Sequence, residues 1–139
     1  MGDRARLIEL LRKREVLRMR RVSADLGVTA AEHGKTAAMA EKLAEMISGN
    51  APPPGEITAS ALRARLGLGV KLEAQREIAE NRAEFLGNEM AQARRKLAQM
   101  KRRETIYGDK AAEERHGAAE AREGVAERLL PPGRRGRPV

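Results

Sequence analysis

His33-Gly34-Lys35-Thr36 carries the residue types that close a phosphate-binding loop, in which a glycine-rich turn wraps phosphate oxygens with backbone N–H groups after a strand. The earlier glycine that such a loop requires is replaced by Thr29, and no strand is expected ahead of it. Gly67-Leu68-Gly69 fails in the same way as a dinucleotide fingerprint. His33 and His116 are the only histidines, far apart and without clustered carboxylates, so neither forms a metal or acid–base constellation, and His33 reads as a polar position on a helix seam. The abundant acids have basic neighbours at helical spacing, as in Arg76 and Glu80. With no cysteine, thiolate chemistry and disulfides are excluded. The expectation is a protein with no catalytic residue, cofactor or metal.

Proline decides what elements hold these residues. All 6 prolines fall in two places, Pro52 to Pro54 and Pro131, Pro132 and Pro138. An interior proline costs a helix about 3 kcal/mol, so the stretches between are permissive for unbroken helix. The predicted helices span 3–48 and 57–129, joined by a linker at 49–56, with a basic disordered tail at 131–139. Asp3 is placed to cap the first helix and Gly49 and Asn50 to end it in a left-handed conformation. Glu56 and Thr58 supply an anion and a capping hydroxyl to the second.

Composition agrees with long helices rather than a globular core. Of 139 residues, 41% are hydrophobic, but many of these are alanine and the only aromatics are Phe85 and Tyr107. Charged residues make up 35%, a coiled-coil balance. Lys and Arg number 28 against 20 acids, a net charge of +8 that favours anionic partners. The opening MGDRARLIELLRKRE lacks the apolar run of a secretory signal, and no segment has the roughly 20 apolar residues that span a bilayer. A cytoplasmic location is expected.

From Ala79 an alternation of four and three runs through Ala83, Leu86, Met90, Ala93, Leu97, Met100, Glu104, Tyr107, Ala111, Glu114, Ala118, Ala121 and Val125. That is the seam of a left-handed supercoil. The first helix has a more polar seam in Met19, Val22, Leu26, Thr29, His33, Thr36, Ala40, Leu43 and Ile47. So short a linker predicts an all-α antiparallel coiled-coil hairpin with a longer second arm. At about 1.5 Å per residue the arms would measure roughly 70 Å and 105 Å. With Pro53 as the turn, Ile8 is expected near Leu97 or Met100, leaving about 30 residues of the second helix, Tyr107 to Val125 among them, without a partner in the chain. Basic clusters at Arg12-Lys13-Arg14, Arg18-Arg20-Arg21, Arg94-Arg95-Lys96 and Lys101-Arg102-Arg103 are expected to form a positive belt, read either as a solvated face or as a docking surface. Interior glycines, each costing a helix roughly 1 kcal/mol relative to alanine, predict a marginally folded chain that orders on binding.

A small basic chain with two long helices, a mid-chain break, Gly55-Glu56-Ile57-Thr58 opening the second arm and ETIYGDKAAEER at Glu104 to Arg115 resembles the FliJ family of flagellar type III export proteins and their YscO-type virulence relatives. The resemblance implies a stalk-like protein that docks to the export ATPase (FliI-like) and the export gate cytoplasmic domain (FlhA-like) and escorts export chaperones. It would be a monomer when free and peripheral at the inner face of the cytoplasmic membrane through its partners. It places ATPase contact at the overhang, with Tyr107, Ala111, Arg115, Ala118 and Val125, while Arg102 and Arg103 of the basic belt are further candidate partner-binding residues. It places gate contact at Leu68 and Leu72, although this chain has no aromatic at that pair and carries Gly67 and Gly69 beside it. The competing readings are a nucleic-acid-binding basic coiled coil and a generic scaffold coiled coil. Basic groups interleaved with acids, and almost no aromatic surface for bases to stack on, count against nucleic acid.

Overall fold

A computed structural model describes residues 2–129 of the chain; the predicted basic tail at 131–139 lies outside them. Two long helices, α1 (Asp3–Gly49) and α2 (Ala59–Leu129), are packed against each other, and no strand occurs among the described residues. The structure divides into two compact units. One holds Val22–Lys96, with the linker; the other holds α1 up to Arg21 with α2 from Leu97 onward.

In the Val22–Lys96 unit the helices run antiparallel, with Glu32 meeting Arg82 at 2.6 Å and Asn50 meeting the Arg65 carbonyl at 2.8 Å. The seam residues of α1 from Val22 to Ile47 are all partly covered, in the alternation of four and three read from the sequence. On α2 the covered row starts earlier than Ala79: it takes in Leu62, Arg65, Gly69, Leu72 and Arg76 at the same spacing. Leu72, Ala79 and Leu86 are this unit's buried apolar residues. His33 sits on the seam against Gly87, where a Cβ would lie 3.7 Å from its Nε2. That is ordinary van der Waals contact, so the imidazole packs closely over this turn of α2.

The ends of the helices differ in part from expectation. Thr58 caps α2 by accepting the Ala61 N–H at 3.1 Å, as its hydroxyl suggested. Gly49 and Asn50 do not adopt a left-handed conformation; Gly55, with φ 121°, is the one positive-φ residue among those described. Instead α1 closes by tightening, since the Asn50 N–H is shared between the carbonyls of Met46 and Ile47 and the Ala51 N–H reaches that of Ser48. The Asn50 side chain and the Arg65 guanidinium, which donates to the Ala51 carbonyl at 3.0 Å, then tie the end of α1 to α2.

That tie also corrects the register. Asn50 lies opposite Arg65, so the first turns of α2 run past the end of α1 and residues 51–58 return alongside them. Consecutive prolines favour an extended backbone rising about 3.1 Å per residue, so Pro52 to Pro54 act as a riser, not as a tight turn centred on Pro53.

In the other unit Arg12 meets Glu104 at 3.1 Å and Arg4 meets Glu114 at 3.3 Å. Ile8, between Arg4 and Arg12, therefore faces the stretch between Glu104 and Glu114 and not Leu97 or Met100. The shift is about ten residues, or roughly 15 Å. The α1 seam continues here through Ala5, Ile8, Arg12, Glu15 and Met19. The buried residues among those described are Ala5, Ala111 and Glu15, the last only 1% exposed. Among the described residues the buried apolar ones are three alanines and two leucines, so little apolar area stabilises the fold.

Candidate functional site

The polar seam of the Arg4–Glu114 end is the most organised side-chain constellation among the described residues. Arg12 occupies a seam position because its long stem lies along α2, where a Cβ at Gly108 would stand 3.7 Å from its Cδ. Its guanidinium donates from Nε to Glu104 at 3.1 Å and from Nη1 to Glu9 at 2.9 Å. Glu104 also accepts from Lys101 Nζ at 3.0 Å. Hydrogen bonds from Lys101 and then Arg12 hold the Glu104 carboxyl below its ordinary range, against the opposing effect of burial. The bonds to Glu104 and Glu9 raise the Arg12 guanidinium above its own. Arg115 approaches Glu9 at 3.9 Å, and Arg18 approaches Glu15 at 3.5 Å. The Glu15 Oε2 is buried with no hydrogen-bond partner.

Such a ladder holds two helices in register. It offers no nucleophile beside a base, and among the described residues no three His, Cys, Asp or Glu side chains are grouped to hold a metal.

The shifted register redistributes the residues expected to meet the ATPase. Ala111 is fully buried and Tyr107 half-buried, both within the paired stretch between Glu104 and Glu114, so neither belongs to an overhang. Past Glu114, α2 continues to Leu129, a shorter extension than predicted. Ala118 is half-buried there, while Ala121 is exposed and Val125 is 50% exposed, so the seam loses its cover within this segment. Arg102 and Arg103 are exposed and make no ion pair among the described residues. At the proposed gate contact the pair is divided: Leu72 is buried in the seam and Leu68 is exposed. On the other flank of α2 from Leu68, the exposed Leu66 and Val70 line an open groove of about 480 Å³ with Ile47, Pro52 and Leu62.

Two features escaped the reading of the sequence. The ladder did so because Arg12 and Glu15 look like solvated charges until α2 is laid beside them. The other is an apolar row on the outer face of α1, with Leu7, Leu10 and Leu17 between 56% and 62% exposed. Its signal is the spacing of three and seven between these leucines, masked by the basic residues interleaved with them.

None of the family models, curated protein sequences or solved structures compared with the chain matches it. Among the described residues no helix is long and apolar enough to cross a membrane.

Proposed function

We propose that the chain is a non-enzymatic docking protein of a type III export apparatus, FliJ-like in role, that joins an export ATPase to an export gate and escorts export chaperones. The observation that carries this reading is the continuation of α2 beyond the Arg4–Glu114 pair to Leu129, with its apolar positions Ala121 and Val125 uncovered. A helix extended past its partner, with Arg115 and Arg122 among acids, suits insertion into a preformed protein surface better than any chemistry.

For the gate, the exposed Leu66 and Val70, which line the linker groove, replace the Leu68 and Leu72 pair as the apolar contact.

The test is co-precipitation of the full chain, and of a chain ending at His116, with the cognate ATPase and the gate cytoplasmic domain. The shortened chain should keep its helicity and gate binding and lose the ATPase. Failure of the full chain to bind either partner at low salt overturns the proposal. A retarded band with random duplex DNA at physiological salt would instead favour the nucleic-acid reading.

A further inference from the structure

We propose that the outer face of α1 from Arg6 to Arg21 is a docking surface for an anionic lipid bilayer. The seam side of this stretch is Ala5, Ile8, Arg12, Glu15 and Met19. At 100° per residue, Leu10 and Leu17 fall directly opposite that seam. One flank of this line carries Arg6, Lys13 and Arg20, and the other Leu7, Arg14 and Arg21. All eight are exposed, and none of the five cations has an ion pair among the described residues. The acids of the same stretch, Glu9 and Glu15, are turned inward and face Arg12, Arg115 and Arg18.

The occupant follows from what the face asks for. A second copy of the same face would set five cations against five cations. A nucleic acid would satisfy the cations and leave Leu7, Leu10 and Leu17 in water, with no aromatic on the face for bases to stack on. A bilayer interface satisfies both at once: leucines enter the acyl boundary while Lys and Arg on either flank reach up to phosphate headgroups. Phosphodiester lipid headgroups are therefore the ligand chemistry, and the mode is lying on the membrane, without spanning it. This surface is separate from the ATPase and gate contacts above and stands whether or not they do.

The experiment uses the full chain and extruded vesicles of equal parts phosphatidylcholine and phosphatidylglycerol, with pure phosphatidylcholine as control, in about 0.1 M salt, where the screening length is about 10 Å. Each Lys or Arg held at an anionic surface strengthens partitioning about five-fold, so the triple variant Arg14→Gln, Arg20→Gln, Arg21→Gln should bind about a hundred-fold more weakly. Leu7→Gln, Leu10→Gln, Leu17→Gln should lose about ten-fold per leucine that enters fully. All six positions lie off the seam, and circular dichroism should show unchanged helicity.

A second readout avoids weakening the face. The chain has no cysteine, so Leu10→Cys and Met39→Cys each accept a single polarity-sensitive dye. The dye at position 10 should blue-shift with the anionic vesicles and that at position 39 should not. No binding to the anionic vesicles overturns the proposal. So does binding that the leucine variant retains in full, or a dye at position 10 that reports only water. An acidic helical peptide that shifts this dye where vesicles do not would assign the face to a protein partner instead.

Discussion

Replacing Glu15 by leucine should stabilise the fold. Glu15 stands at a seam position with 1% exposure; one oxygen lies 3.5 Å from Arg18 and the other has no partner. A buried polar atom without a hydrogen bond costs about 1–3 kcal/mol. A leucine in its place keeps the buried stem and adds roughly one methyl's worth of apolar burial, about 0.8 kcal/mol. Against this, the contact with Arg18 is half-exposed on the arginine side and worth at most about 1 kcal/mol. The net expectation for Glu15→Leu is a gain of about 2 kcal/mol, which for a chain of this size raises Tm by about 6–10 °C. Thermal melts followed by far-ultraviolet circular dichroism read it, with Leu10→Gln as an outer-face control expected to change little. A lower Tm for Glu15→Leu, with the control unmoved, would refute the reasoning, because it would mean that the carboxyl group holds the helices together.

Acid should weaken the Arg4–Glu114 end. Because Glu104 titrates below its ordinary value of 4.5, its contribution is fully present above that value and is lost as pH falls through the depressed one. Urea melts at neutral pH and near pH 3 should differ less for Glu104→Gln than for the parent chain. Alanine at Gly27, Gly34 or Gly117, where a Cβ meets nothing within 4 Å, should add about 1 kcal/mol each in the same melts. Alanine at Gly55, held at φ 121°, should lower stability.

The helices, their boundaries to within two residues, and most of both seams were legible in the sequence because each depends on local chemistry. Proline placement, the Thr58 hydroxyl and the alternation of Leu86, Met90, Ala93 and Leu97 all act within a few residues of chain.

What the sequence by itself determined was that two amphipathic helices exist and must cover each other. Only the tertiary structure decided how far one is slid along the other. A heptad pattern is nearly indifferent to slips of whole heptads, so apolar spacing could not choose whether Ile8 faces Met100 or the stretch beyond Glu104. The choice came from contacts between residues remote in the chain: Asn50 on the Arg65 carbonyl, Arg82 on Glu32, Arg12 on Glu104. The same slide moved Tyr107 and Ala111 from a supposed overhang into the paired region. Polar groups need one geometry where leucines accept several, so the few charged seam positions carry the register that the apolar ones leave open.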